Sequence, residues 1–420
     1  MNREMIDQQI QNGRREQNRI RIQVARLRQA NNKTASADSL DWKEREKIMK
    51  VIIRSTVALL FAACVLGAGF SYRIAAASDS GQRVAPEVAS SVPFLPQISP
   101  ISTVPTNGDV NPYGVVFVPT GFHTGGMLNP GDILVSNFNN SNNEQGTGTS
   151  IIRIQPSGQT SPFFQSSVPG LSTALGIVNN AFIVVGNVPT QDGTCGTLGV
   201  GSLQVINYKD QLIQTITDPE LLDSPWDLTV VNQGPKNAMI FVSNVVSGTV
   251  TRLDIMDNHG LKVLSKVQIA SGFSHSCSSA TFVVGPTGLA YDVTTDTLYV
   301  ASTGDNAVFA INNASKVSQS VGTGNMIYSD NVHLHGPLVL LLAPNGHLLV
   351  SNGDAVNGDP NQPSEIVEFT TGGSFVSEFS IDGGQGGAFG MNLQSIGGDM
   401  TRFAAVDDVT NSLRMWTVSQ

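Results

Sequence analysis

The sequence predicts an all-β fold: a six-bladed β-propeller of four-stranded antiparallel blades, closed by an N-terminal strand that completes the last blade. Three observations predict it. One pattern of two apolar runs separated by a turn comes round six times, the second runs ending at Ser136-Asn137, Gly186-Asn187, Ser243-Asn244, Ser302-Thr303, Ser351-Asn352 and Val406-Asp407. The repeats are spaced by about fifty to sixty residues, the range of propeller blades with decorated loops. From residue 109 onward, short runs of Val, Ile, Leu, Phe and Thr alternate with Gly, Asn, Asp and Pro clusters and show no helical periodicity. Finally, the sixth repeat ends one strand short, while an unassigned strand-like segment, 97–104, precedes the first.

Four regions follow in order. Residues 1–48 form a basic, polar arm, and residues 1–54 carry thirteen Lys/Arg against seven Asp/Glu. Residues 49–77 read as a signal peptide or signal anchor. Lys50 and Arg54 precede an apolar run over 55–72, about eighteen residues and so at the lower limit for crossing a bilayer, and Ala75-Ala76-Ala77 then offers a small-residue cleavage pattern. If Met49 is the true start, the arm belongs to an over-extended gene; if it is not, the arm stays inside by its positive charge. Both readings put the rest of the chain outside the cytoplasm, periplasmic, secreted or held at the inner membrane, with membrane contact only through this segment. Residues 78–108 are a Ser/Pro-rich linker that carries the closing strand, and 109–420 is the propeller.

Repeat five displays the unit most plainly. Leu338–Ala343 is apolar throughout, as a strand covered on both faces should be, Pro344-Asn345-Gly346 turns, and His347–Asn352 returns. Glu365–Thr370 and Ser374–Ile381 complete four strands. Repeat six supplies three, Gly390–Leu393, Arg402–Asp407 and Leu413–Val418, and would leave unpaired backbone at its edge unless 97–104 pairs there.

Gly285-Pro286-Thr287-Gly288-Leu289-Ala290-Tyr291 with Thr297–Ala301, and Pro344–Asn352, resemble NHL-type repeats and are similar to gluconolactonase-type six-bladed propellers over roughly residues 110–420. The chain is expected to be a bacterial, exported member of this superfamily, the export following from residues 49–77. The resemblance implies that acidic and amide side chains at the starts of inner strands hold a calcium ion and serve as general base in a lactonase, a role for which Asp227 is the best match here.

Topology selects the face to inspect. Lead-ins to first strands and loops after second strands gather at one mouth of the channel: lead-ins 107–112, 170–174, 223–227, 274–286, 328–336 and 382–388, and loops 138–149, 188–201, 245–248, 304–306, 353–363 and 408–411. The recurring Asn tolerates left-handed turns and bonds its own backbone, so it serves the blade first. Where the repeat meets the mouth, Asn111, Asn137, Trp226, Asn244, Asn352, Asp354 and Asp407 are the candidate ligand-binding residues. Asp227 is the candidate catalytic residue. With His275, His333 and His335 it is also the candidate metal set, since alternation in an extended His333-Leu334-His335 puts both imidazoles on one side, as a zinc site requires. Asp354, Asn357, Asp359 and Asn361 make an oxygen-rich loop that suits calcium. Cys195 and Cys277, the cysteines beyond the apolar segment, are a candidate disulfide in an oxidising compartment.

Residues 78–420 carry ten Lys/Arg against twenty-six Asp/Glu, which argues against nucleic acid as a partner. No Gly-x-Ser-x-Gly elbow, phosphate loop, dinucleotide fingerprint or Cys-x-x-Cys occurs, which excludes the commonest nucleophile and nucleotide chemistries. The expected function is therefore a monomeric binding module that takes a small molecule, carbohydrate or protein at its mouth. The alternative is a calcium- or zinc-dependent lactonase, hydrolase or lyase.

Overall fold

The structure, a computed structural model, describes residues 98–419 except 279–280, 354 and 359–364. The arm at 1–48, the apolar segment and most of the linker lie outside the described residues, as do Asp354, Asp359 and Asn361. Among the described residues no helix is long and apolar enough to cross a membrane.

Six four-stranded antiparallel sheets form the domain. The first blade is β2 (Val110–Phe117), β3 (Ile133–Asn139), β4 (Ser150–Ile154) and β5 (Thr160–Gln165); the second is β6 (Leu171–Val178), β7 (Phe182–Asn187), β8 (Ser202–Asn207) and β9 (Leu212–Ile216). The third is β10 (Pro225–Asn232), β11 (Asn237–Asn244), β12 (Thr249–Asp257) and β13 (Leu261–Ser271). A small hairpin of β14 (Ser276–Ser278) and β15 (Phe282–Val284) then precedes the fourth blade, β16 (Pro286–Asp292), β17 (Thr297–Ser302), β18 (Ala307–Asn312) and β19 (Asn325–Ser329). The fifth is β20 (Pro337–Leu342), β21 (His347–Asn352), β22 (Glu365–Thr370) and β23 (Phe375–Ser380). The sixth holds β24 (Ala388–Gly397), β25 (Met400–Asp407) and β26 (Ser412–Ser419), with β1 (Ile101–Ser102) outermost. The inner strands neighbour one another in the order β2, β6, β10, β16, β20, β24 and back to β2, a closed ring.

Each inner strand carries a register shift at its start, so that Pro112, Leu171, Pro225, Pro337 and Ala388 pair with Asn137, Asn187, Asn244, Asn352 and Asp407. In the fourth blade the partner of Pro286 is Ser302, one residue earlier than the sequence pattern suggests. The bulge opens room for a hydroxyl from the second strand. Ser136 Oγ accepts from Gly114 N at 2.9 Å and donates to Ser172 O of the next blade at 2.9 Å. Ser243 Oγ repeats this, accepting from Asp227 N at 3.0 Å and donating to Thr287 O at 2.6 Å. Ser172 and Thr287 donate onward to Pro225 O and Pro337 O. In the first and third blades the serine before the strand-end Asn is thus a staple between blades, satisfying backbone groups that the bulge frees.

The ring closes as the sequence predicts, over a shorter stretch. Ile101 pairs with Leu413 and Ser102 with Ser412, Thr103 N donates to Asn411 O at 3.0 Å, and Asn137 Nδ2 donates to Thr103 O at 3.1 Å. The seam joins the sixth blade to the first. Removing residues through Val104 deletes these bonds and the packing of Ile101, a loss of about 2–3 kcal/mol, and uncovers the edge of β26. A Tm lower by roughly 5 °C and concentration-dependent aggregation are the expected results in a thermal scan; an unchanged Tm would show that the sixth blade stands without its fourth strand.

Candidate functional site

The mouth is built from the residues that open the inner strands. Directly after the bulge proline or its equivalent, the blades carry Tyr113, Trp226, Thr287, Leu338 and Phe389, so three of these slots hold aromatic rings. Phe138, at the end of β3, lies under them and is fully buried. Tyr113 stacks on Phe138 with centroids 4.6 Å apart and meets Phe389 at 4.7 Å, and Trp226 stands edge-on to both Tyr113 and Phe138 at 5.4 Å. Phe282 approaches Phe138 at 5.9 Å. These rings close the channel as an aromatic floor.

Phe282 belongs to the β14–β15 hairpin, which interrupts the lead-in loop expected over 274–286. Its φ of +59° is unusual for an aromatic residue, and the packing of its ring into the floor offsets the strain. Cys277 on the same hairpin is bonded to Cys195, in a single 3-10 turn at Cys195–Thr197 of the loop after β7, with Cα atoms 5.8 Å apart. The predicted disulfide is therefore present, and it pins the hairpin across the mouth.

Two contiguous cavities lie here. One, of about 730 Å³, is bounded by Tyr113, Trp226, Phe282 and Phe389 below and by the Gly193–Gly196 turn and Thr281 above. The other, of about 720 Å³, is lined by Asn111, Asn143, Gln385, Asp408 and Asn411, and both share Gln145, Gly353 and Phe389. Two residues of these walls carry a buried polar atom without a hydrogen-bond partner among the described residues, Trp226 at Nε1 and Asn111 at Oδ1. Burial, then the neighbouring Asp407 and Asp382, pushes the Asp408 carboxyl up to about 7. Burial also raises the Asp407 carboxyl, as does its hydrogen bond with Asp382. The Tyr113 hydroxyl is pushed far above its ordinary value by burial and by Asp408.

The sequence-derived residues fall into separate places. Asn111 and Trp226 line the cavities. Asn137, Asn244, Asn352 and Asp407 are fully buried and turned into the blades. Asn137 Nδ2 reaches Thr103 O and Ser150 Oγ, Asn244 Nδ2 reaches Leu221 O at 3.2 Å, and Asn352 bonds His333 O and His335 N. Asp407 accepts from Val409 N and Thr410 Oγ1 and lies 3.5 Å from Arg414 Nη2. These side chains hold the lead-in of their own blade or the adjacent closing strand, which is why they recur.

Asp227 occupies the position where the first, fourth and sixth blades have Gly114, Gly288 and Gly390. It lines a separate cavity of about 320 Å³ within the channel, with Leu228, Leu289, Leu340 and Met391 among its neighbours. Its Oδ2 accepts from Leu289 N at 2.9 Å, joining the third blade to the fourth, and burial pushes its carboxyl up to about 8. Burial among aliphatic side chains thus favours the protonated form of this carboxyl in the structure as it stands.

The three histidines do not join it. His333 and His335 are not side by side: His333 Nδ1 meets Glu378 Oε2 at 2.6 Å with its ring stacked on Phe375, whereas His335 is buried with Nδ1 at 2.5 Å from Asn357 O. The segment turns through Asp330, whose carboxylate accepts from the backbone of His333 and Leu334, so strand alternation does not apply. His275 Nδ1 lies 2.8 Å from Phe273 O. Among the described residues no three His, Cys, Asp or Glu side chains converge as metal ligands. Among the described residues Asp227 thus has no companion ligands for the calcium that the resemblance implies or for the zinc that the His333-Leu334-His335 spacing suggests.

The raised carboxyls set a pH dependence of stability. Asp227 titrates at 3.8 in an ordinary setting and at about 8 in the fold. Between those values the folded chain holds a proton that the unfolded chain has released, so stability falls as pH rises through this window and levels off above it. Asp408 acts with the same sign up to about 7. Asp227→Asn keeps an oxygen for Leu289 N–H and should recover on the order of 2 kcal/mol at alkaline pH while flattening the profile. Chemical denaturation across this pH range checks it, and a parallel slope in variant and wild type would sink it.

Asp408, Gln145, Phe138 and the Phe282 hairpin were not singled out from sequence. The repeat did hold a signal, because Tyr113, Trp226 and Phe389 share one slot, and Phe282-Val283-Val284 is an apolar run inside a Ser-rich lead-in.

No family model and no curated protein matches this chain. Solved structures do resemble it. A periplasmic gluconolactonase of Pseudomonas aeruginosa is 14% identical with a TM-score of 0.40, over 74% of this chain and 83% of that one. Regucalcin of Agrobacterium tumefaciens, a calcium-binding protein, is 10% identical with a TM-score of 0.40, over 71% and 83%. A luciferin-regenerating enzyme is 10% identical with a TM-score of 0.46, over 77% and 96%. The structural neighbours of this six-bladed propeller thus include gluconolactonase- and regucalcin-like propellers.

Proposed function

We propose that the domain is a ligand-binding propeller, exported and monomeric, that takes a small molecule in the two-part mouth beneath the disulfide-bound hairpin. The single observation that carries this reading is the pair of adjoining cavities, one with an aromatic floor and one with an amide-rich wall, that share Gln145, Gly353 and Phe389. Concave sites of this kind, apolar with a few convergent polar groups, are where small ligands bind. The disulfide suits an oxidising compartment. A thermal-shift screen of neutral, cationic and anionic small molecules tests the reading. Compounds that stabilise the wild type should lose their effect in Phe389→Leu, which alters the wall common to both cavities. If nothing stabilises the protein, or the variant responds equally, the mouth is not the site.

A second reading is lactone or ester hydrolysis of the kind named for the gluconolactonase neighbour. The observation that favours it is Asp408, a carboxyl on the cavity wall that burial and adjacent acids raise to about 7, the range useful to a general acid or base. Hydrolysis with an inflection near neutral pH, abolished in Asp408→Asn, would support it. Hydrolysis indifferent to that substitution would remove it.

A further inference from the structure

The ligand class follows from what the two walls offer, given the reading of the mouth as a binding site. Charge comes first. None of the described residues lining either cavity is basic, and the loops 274–286 and 353–363 contain no Lys or Arg at all. An anionic ligand would therefore lose its hydration without gaining a counter-charge. Asp408 is the acidic side chain among the described lining; burial, then its neighbours Asp407 and Asp382, raise it to about 7, so on the acid side of neutrality the described wall presents hydrogen bonds more than a counter-charge for a cation.

Hydrogen-bonding capacity comes second. Asn111, Asn143, Gln145, Gln385 and Asn411 give one wall a run of amides, which as a class donate and accept, although the oxygens of Asn411 and Asn143 already accept from Asn111 N and Asn139 Nδ2. Trp226, 3% exposed, has an indole N–H without a partner, and Asn111, 6% exposed, has a side-chain oxygen without one. A buried donor and a buried acceptor left open within the protein are costly unless an occupant meets them. A hydroxylated ring can do both, because its oxygens accept and its hydroxyls donate. The faces of Phe389 and Trp226 supply the apolar surface on which such a ring lies.

Length comes third. Phe389, Gln145 and Gly353 belong to both cavities, so one ligand can run from the aromatic floor to the amide wall.

We propose that this mouth binds an uncharged oligosaccharide, with one sugar ring on the aromatic floor accepting from Trp226 Nε1–H and the next against the amide wall donating to Asn111 Oδ1. Soluble neutral tetrasaccharides of glucose, mannose, xylose and N-acetylglucosamine are the probes, with tetragalacturonate and the four monosaccharides as comparisons, titrated calorimetrically into the full chain. At least one neutral tetrasaccharide should bind, its monosaccharide at least about tenfold more weakly, and tetragalacturonate not at all. Trp226→Phe keeps a ring and deletes the N–H, and should weaken binding by about five- to tenfold. Gln145→Ala, a change in a half-buried side chain on the shared wall, should weaken binding similarly and guards against a folding defect in the tryptophan variant. Failure of every neutral tetrasaccharide to bind overturns the proposal, as does binding that neither substitution weakens. If a lactone or another small compound stabilises the wild type through Phe389 while the oligosaccharides do not bind, this proposal falls and the reading of the mouth stands. If no class of compound binds, both fall.

Discussion

Phe138→Ala should lower the unfolding free energy by about 3–5 kcal/mol, the cost of emptying a large buried aromatic site. The ring is fully buried and touches three others, Tyr113, Trp226 and Phe282, contributed by the first blade, the third blade and the hairpin. Those neighbours are fixed to different parts of the ring and cannot collapse together into the space, so the cavity term adds to the lost transfer energy. Ser136, two residues earlier, staples the first blade to the second and holds the backbone in place. Urea unfolding is the measurement, with a lower midpoint and an unchanged slope expected. Because Phe138 supports the floor, ligand binding should weaken as well. A cost below about 1 kcal/mol would mean that the rings repack, and that the floor is less fixed than its stacking geometry implies.

Cys277→Ser should be the second large effect. The bridge spans a sequence separation of 82 residues, and a loop of that size is worth at most about 4 kcal/mol through the entropy of the unfolded chain. The native-state consequence is local. Without the bridge, β14 and β15 keep their mutual pairing, Ser276 with Val284, Cys277 with Val283 and Ser278 with Phe282, together with the packing of Phe282 and Val283 in the core. The strained φ of Phe282 then has less to hold it. A Tm lower by several degrees and faster proteolysis within 274–284 are the expected results, reproduced in the wild type by reductant. Unchanged proteolysis would show that the hairpin is held by packing alone.

Much of the fold was legible because propeller strands obey local rules. The second strands end where the repeat puts them in four blades, β3 runs on to Asn139 in the first, and the chain closes through a segment whose need was visible from the missing strand of repeat six. In the fourth blade the pattern slips by one because Thr303 follows the aligned Ser302, and the role played elsewhere by the strand-end Asn passes to Asn306, which bonds Asp330 O, Leu334 O and Gly336 N. The repeated Asn residues illustrate a limit. Sequence shows that a residue recurs, but it does not show whether the side chain turns outward to a ligand or inward to its own blade. His333 and His335 were placed together by assuming extended backbone, which the Asp330 turn abolishes.

By itself, then, the sequence determined the blade, the number of blades, the disulfide partners and the face at which they meet, since strand periodicity, turn chemistry and cysteine number act over short stretches or by simple counting. Only the tertiary structure decided which side chains share the mouth. Tyr113, Phe138, Trp226, Phe282 and Phe389 are scattered through the chain and meet because ring closure brings the inner-strand starts together, while Asp227, adjacent to Trp226, faces the channel instead. The physical reason is that a site side chain's direction is set by bulges and hairpins and its neighbours by the circular order of blades, and neither is encoded in the local pattern that makes a strand.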